Sequence, residues 1–360
     1  MKIALVHDSF TQMGGAERVV QDLHDIFPSA PVFTLVFDPK FKEIYNGWDI
    51  RTSPLQALYL AIGKLKFLLP LIPWAVEQLD LSGYDIVISS SSGFVKNIQV
   101  PKSVIHICYC HTPPRFVWTD AEYVKQETSW FFRPLVKWFL KYYKKWDEKA
   151  SKRVSYFIAN SNEVKKRIYD IYNRDSLVIY PGISDFWKPV KLKSNYFLLA
   201  GRLQAHKKNE LIVKIFNELG LPLHVVGSGR QESYLKSIAS GNIKFFGRVS
   251  DEVLREQYSG ALAYIFPQIE DFGLMPLEAS ACGTATLAYK FGGALETVVS
   301  GATGDFFSSY NSDEIKSLIL NWDKNKFRQE VLQNHARKFS KEVFQKQVKE
   351  FVLSKLSNSQ

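Results

Sequence analysis

The sequence predicts an α/β chain of two doubly wound parallel-sheet domains. Three observations carry that reading: the length, the apolar content, and two successive series in which strand-like runs alternate with helical stretches. Three hundred and sixty residues are too many for one core and enough for two ordinary domains. The chain is 46% hydrophobic and 23% charged, a globular composition. Strand and helix in alternation argue for parallel sheets covered on both faces.

The first series begins with the apolar run "IALVHD" at 3–8, followed by the helical "AERVVQDLHDIF". That opening has only four apolar residues before His7 and Asp8, too few for a signal-peptide core, so it predicts a buried first strand. Then come "YDIVISSS", "VIHICYC" and "YFIAN", the helical "EVKKRIYDIY", and "SLVIY". Between 133 and 154, Lys137, Lys141, Lys144 and Lys145 interleave with Trp138, Phe139, Tyr142 and Trp146, as an amphipathic helix requires. Two readings stay open there: a surface helix with a core-facing aromatic stripe, or contact with a membrane surface. The segment 181–194, rich in Pro, Gly, Ser and Lys, reads as a linker.

The second series runs "YFLLAGRL", "NELIVKIFNELG", "LPLHVVGSG", "QESYLKSIAS", "IKFFGRV", "DEVLREQYSG", "ALAYIFP" and "PLEASAC". The expected domains are 1–183 and 184–340, with a terminal helix over 341–360 packing back on the first. The longest apolar run, "FLLPLIPWAV" at 67–76, is half a bilayer span and holds two prolines. Three cysteines, with Cys108 and Cys110 two apart on one strand, make no disulfide framework, and a reducing, cytoplasmic setting is expected. The net charge of +10 asks for an anionic partner. No nucleic-acid reading module is recognisable, which argues against nucleic acid.

In such sheets ligands bind beyond the carboxyl ends of the strands. Three loops qualify. After the first strand, Gly14 and Gly15 precede a helix whose free amides suit an anion, although a plain tight turn would look the same. After the first strand of the second domain, Arg202 and Lys207 lie in "GRLQAHKKNELIV", a fork and an ammonium suited to a diphosphate. The third is "IEDFGLMPLEASACG" at 269–283, where Phe272, Gly273 and Leu274 offer amides. Pro276 suits the first position of a helix "PLEASAC" and Gly283 the position after its end. Glu270 then sits in a loop, and Glu278 in a first turn, where the dipole favours its charge.

The segments "GRLQAHK", "VVGSG", "FFGRVSDEVLREQYSGALAYIFP" and "EDFGLMPLEASACGTATLAYKFGGALETV" together resemble the retaining glycosyltransferases of family four. The GT-B arrangement of that family has two Rossmann-like domains facing across a cleft. "HDSFTQMGGAERVV", "YDIVISSSSGF", "YCHTPPRFVW" and "RVSYFIANSNEVKKRI" look like the branch that includes bacterial mannosyltransferases of polysaccharide assembly. The resemblance implies that Glu270 and Glu278 form the E-x7-E pair of the donor site. Arg202 and Lys207 would hold the donor diphosphate, Glu278 the ribose, and Glu270 the transferred sugar, helped by the Phe272 and Gly273 amides. Arg248 and Val249 would sit by the nucleobase, with Gly227 and Gly229 clearing room. Where the family often has glycine after the phosphate-binding lysine, this chain has Lys208; Lys207 is the expected contact.

His111 matches the family position that reaches the sugar, as a contact more than as a base; a satisfied structural histidine is the alternative. Asp8 and Arg115 either face the acceptor or are ordinary loop residues. The implied reaction is retaining hexosyl transfer from a nucleotide sugar to a glycan or lipid-linked acceptor, with mannose from GDP-mannose as the expected donor. No D-x-D triplet occurs in the chain, so no metal or other cofactor is expected. The expected setting is peripheral, at the inner face of an anionic membrane. A sugar-nucleotide epimerase shares the architecture, and a non-catalytic binder of anionic surfaces would explain the charge.

Overall fold

The computed structural model describes residues 2–119, 130–190 and 195–357. Within the expected linker, 191–194 lie outside the described residues, as do 358–360 of the expected terminal helix. The chain divides into two compact units, Met1–Tyr180 with Gln345–Gln360, and Pro181–Phe344.

The first unit holds seven strands: β1 Ile3–His7, β2 Val32–Thr34, β3 Ile50–Thr52, β4 Ile86–Ser91, β5 Ile105–Cys110, β6 Tyr156–Ala159 and β7 Ser176–Val178. They lie in the order β3-β2-β1-β4-β5-β6-β7, all parallel. β1 and β4 are buried along their whole length, as strands covered on both faces must be, which is why they read as unbroken apolar or small-residue runs. The last helix, Lys341–Ser357, contributes its later part to this unit. Val348 and Val352 are fully buried, the Phe351 ring stands edge-on to Tyr156, and Gln345 donates to the Asp22 carbonyl at 3.2 Å.

The second unit holds six strands: β8 Tyr196–Ala200, β9 Leu223–Val226, β10 Ile243–Gly247, β11 Ala261–Phe266, β12 Thr286–Tyr289 and β13 Gly304–Phe307. Their order is β10-β9-β8-β11-β12-β13, again all parallel. In each sheet the first strand is flanked by the second and the fourth. Chain direction across the sheet reverses between β1 and β4, and between β8 and β11. Loops that leave such a reversal diverge to opposite faces and open a crevice at the carboxyl edge. The two sites described below lie at these crevices.

The three cysteines are buried and free, which fits the absence of a disulfide framework. The helix Arg133–Ser151 turns Leu140, Tyr143, Asp147 and Ala150 inward, while Leu135, Trp138 and Tyr142 stay exposed. Its aromatic residues therefore divide between core and solvent rather than forming one core-facing stripe. No helix among the described residues is long and apolar enough to cross a membrane.

Candidate functional site

In the second unit, the segment after β8 turns at Gly201 and leads through the 3-10 turn Ala205–Lys207 into the helix Asn209–Leu219. Arg202 is exposed, with no side-chain partner among the described residues. Lys207 is buried and pairs with Glu270, which follows the adjacent strand β11. Glu270 is 30% exposed, so this ion pair stands at the rim of the crevice. Lys208 points elsewhere, with its ammonium 5.1 Å from the centre of the Tyr310 ring. Its φ of +59° is left-handed, a conformation that favours glycine and accounts physically for the residue this chain replaces.

The loop carrying Glu270 is gripped by glycines that the composition alone does not single out. The Gly293 amide donates to the Glu270 carbonyl at 2.9 Å. A side chain on Gly293 would come within 2.1 Å of the Phe272 carbonyl oxygen. Phe272 is buried, and Gly273, at φ +88°, starts the helix Leu274–Ala281 with no side-chain cap. The expected helix beginning at Pro276 is therefore corrected: it begins two residues earlier. A left-handed Gly273 turns the chain sharply enough, and Pro276 falls at the third position, where a helix needs no amide donor. Glu278 consequently lies in the second turn, beyond the strong part of the dipole. It is 4% exposed and accepts from the Tyr258 hydroxyl at 3.4 Å. Burial, and then the Glu278 charge, push the Tyr258 phenol well above its ordinary pKa and the Cys282 thiol up to about 12.

Gly227 and Gly229 are packed against protein backbone. A Cβ on Gly227 would sit 1.9 Å from the Gly201 carbonyl oxygen, and one on Gly229 2.2 Å from that of Leu203. They make room for the backbone of the Arg202 loop, which crosses them and bonds through Leu203 N–H to Ser228 O at 3.0 Å. Arg248 is exposed and Val249 half-buried just after β10.

In the first unit, Asp8 follows β1 and holds the loop after β4. Its carboxylate accepts from the amides of Ser92 at 2.6 Å, Phe94 at 2.9 Å and Val95 at 2.8 Å, and is 8% exposed. Gly14 is the N-cap of the helix Gly15–Ile26, again without a side-chain cap bond. The anion expected at that turn meets an obstacle: Glu17, buried in the first turn, already places a carboxylate there. His111 follows β5, half-buried, with Nε2 2.8 Å from the Ser90 hydroxyl. Burial and then the neighbouring His7 hold its pKa down to about 3, so its ring is neutral at ordinary pH. Arg115 opens the short helix Arg115–Trp118 and is half-buried and already engaged.

The structure thus brings Arg202, Lys207, Glu270, Phe272, Gly273 and Leu274 to neighbouring strand ends in one unit, and Gly14, Gly15 and His111 to strand ends in the other. Sequence reasoning missed His7 and Glu17. Their signal was a glutamate three residues after an N-cap glycine, the spacing of a capping box.

The sequence profile described as Glycosyl transferases group 1 matches residues 183–339, and that of Glycosyltransferase Family 4 matches 13–185. An uncharacterized glycosyltransferase of Methanocaldococcus jannaschii is 26% identical over 49% of this chain and 53% of its own. A GDP-mannose-dependent monoacylated alpha-(1-6)-phosphatidylinositol monomannoside mannosyltransferase of Corynebacterium glutamicum is 35% identical over 27% of this chain and 28% of its own. The chain thus spans about half the length, or less, of these relatives. Among solved structures, Anabaena HepE in complex with UDP aligns with a TM-score of 0.72 at 17% identity, over 98% of this chain and 100% of that one. Sucrose-phosphate synthase from Thermosynechococcus elongatus aligns with a TM-score of 0.74 at 16% identity, over 99% and 100%. At such identities these two structures speak for the fold alone.

Proposed function

The chain belongs to the GT-B glycosyltransferases of the family-4 type, and from that premise we propose that it is a retaining, metal-independent hexosyltransferase. It moves a hexose from a nucleotide sugar to a hydroxyl of a lipid-linked or oligosaccharide acceptor in surface polysaccharide assembly. The N-terminal motifs and the GDP-mannose dependence of the corynebacterial relative favour mannose from GDP-mannose. The observation that carries the reading is the Lys207–Glu270 pair at the β8/β11 crevice, beside an Arg202 with no side-chain partner among the described residues and a helix start without a side-chain cap.

Transfer requires the acceptor oxygen to attack the anomeric carbon while the bond to the diphosphate breaks. The acceptor proton passes to a departing phosphate oxygen on the same face, so no side chain is needed as base. Negative charge builds on the diphosphate during that step. Arg202, Lys207 and the amides at the start of Leu274–Ala281 stabilise it there, and fixed donors of this kind act more strongly on the transition state than on the ground state. Glu270 orients Lys207 and offers its remaining oxygen to the positive charge growing on the sugar. Glu278 holds the ribose and His111 contacts the sugar as a neutral ring. Two fixed cations take the place of a divalent ion.

Peripheral membrane attachment is part of the same proposal. Exposed Trp130, Phe131, Phe132, Leu135, Trp138 and Tyr142 accompany the lysines of Arg133–Ser151, a composition suited to an anionic interface. A second exposed apolar set, Leu58, Leu60, Ile62, Phe67, Leu71 and Trp74, lies with Lys64 and Lys66 in a stretch from Ile50 to Val76 that contains no acid.

The test is nucleotide release from a panel of nucleotide sugars, with and without glycan acceptors, in the presence of EDTA. Release that depends on acceptor and survives the chelator is expected. Donor turnover without any acceptor would favour an epimerase, and activity lost to EDTA and restored by magnesium would contradict the cation argument. Sedimentation with anionic vesicles should weaken as salt rises; indifference to salt would contradict electrostatic attachment.

A further inference from the structure

At the carboxyl end of β1, two buried side chains each hold a polar atom without a hydrogen-bond partner among the described residues. His7 is 2% exposed and Glu17 4% exposed. His7 Nδ1 lies 3.3 Å from the Ser90 carbonyl oxygen. A carbonyl only accepts, so Nδ1 carries a proton, and in the singly protonated tautomer Nε2 is a lone pair. That lone pair faces Glu17, with Oε1 3.7 Å away, too far for a hydrogen bond. Among the described residues, neither His7 Nε2 nor Glu17 Oε2 has a hydrogen-bond partner. Two adjacent buried acceptors are costly unless something donates to both.

The surroundings select the donor. A Cβ on Gly14 would stand 3.1 Å from Glu17 Oε2, so this glycine keeps a side chain off the carboxylate. The helix Gly15–Ile26 has no capping side chain either, which leaves Glu17 as the charge at its start. A phosphate brought there would meet a carboxylate, whereas a neutral group rich in hydroxyls meets what it needs. Ser90 ties the pair to the candidate sugar contact, because its carbonyl holds His7 and its hydroxyl holds His111 Nε2.

We infer that His7 and Glu17 form a subsite for the hydroxyls of a neutral sugar ring, which donate to His7 Nε2 and Glu17 Oε2. The inference rests on the transferase reading for its role, and the sugar is either the transferred hexose or the acceptor's own. It replaces the anion first expected at Gly14–Gly15.

The test follows the ring signals of the full-length chain labelled in histidine, with the His7 signal assigned by its loss in His7→Gln. Methyl α-mannopyranoside and methyl α-glucopyranoside are titrated separately, and inorganic phosphate in parallel. At least one glycoside should move the His7 signal and phosphate should not. Movement with phosphate alone, or with no probe, would overturn the inference. Glu17→Gln offers an amide donor that satisfies His7 internally. It should weaken glycoside binding about ten- to a hundredfold, as loss of a charged hydrogen bond does, while the melting temperature holds or rises. Unchanged binding in Glu17→Gln would also overturn it. In turnover assays a raised donor KM assigns the subsite to the transferred hexose, and a raised acceptor KM to the acceptor. Should the wild-type chain turn over no nucleotide sugar, the transferase reading falls while the glycoside titration still decides the subsite.

Discussion

Each unit contains a buried lysine paired with a carboxylate, and the two pairs differ in what surrounds the carboxylate. In the first unit Lys96 pairs with Asp147, with side chains 1% and 0% exposed. Asp147 also accepts from Trp118 Nε1 at 2.8 Å and from the Tyr172 hydroxyl at 2.7 Å, and Lys96 donates to Asn97 at 2.7 Å. Every strong contact is filled, and the pair ties the helix Arg133–Ser151 to the loops after β4 and β5. In the second unit Glu270 has Lys207 as its only side-chain partner among the described residues and remains 30% exposed. A saturated pair can only hold structure, whereas one with an open side can exchange part of its interaction for a ligand. The same chemistry thus serves as a fastener in one place and, in the proposed function, as a cation for the donor diphosphate in the other.

Asp147→Ala should break that comparison most severely. It leaves Lys96 charged, buried and alone, at a cost of about 3–5 kcal/mol, read as a large drop in melting temperature. Lys207→Met keeps the buried stem and releases only a partly exposed glutamate, so its melt should stay within about 1 kcal/mol of wild type. Similar melting losses in the two variants would erase the distinction. Gly227→Ala comes next. Its Cβ would meet the Gly201 carbonyl, and the strained loop should lose about 1–3 kcal/mol together with nucleotide affinity. Stability lost with affinity intact would separate the glycine crossing from the site.

The closed pair has a pH signature as well. His106, fully buried against Ser89, has its pKa lowered to about 3, first by burial and then by the charge of Lys96. Unfolded, it takes up a proton near pH 6.5; folded, it does not until about 3. The unfolded state therefore binds more protons in that window, and stability falls with acidification by about 1.4 kcal/mol per pH unit. Denaturant midpoints measured across pH 4–6 should lose part of this slope in His106→Gln. The smallest effect belongs to Lys208→Gly, which relieves a left-handed backbone while freeing the unfolded chain. The expected change is at most about 1 kcal/mol, with the open pair undisturbed.

Legibility followed the range of the interactions. β1, β4, β5, β8 and β11 stand out as apolar runs because burial on both faces demands them. β2 and β3 are three residues each and carry too little pattern to be read. Helix starts misled where a glycine at φ +88° did the turning that Pro276 seemed to signal. The strand-end loops could be located from topology rules, but not the partners within them. Lys207 meets Glu270 across 63 residues, and Asp8 meets the loop after β4 across more than eighty, separations at which local pattern is silent. Gly227 and Gly229 were visible as glycines, yet the backbone they admit belongs to another loop.

The most direct measurement is calorimetric titration of GDP into the wild-type chain and into Lys207→Met, with both melts recorded. A lysine poised for the donor diphosphate predicts binding by the wild type and about ten- to a hundredfold weaker binding by the variant, at nearly unchanged melting temperature. Equal affinity in the two proteins, or a loss matched by collapse of the melt, would contradict the account and return Lys207 to the same structural class as Lys96.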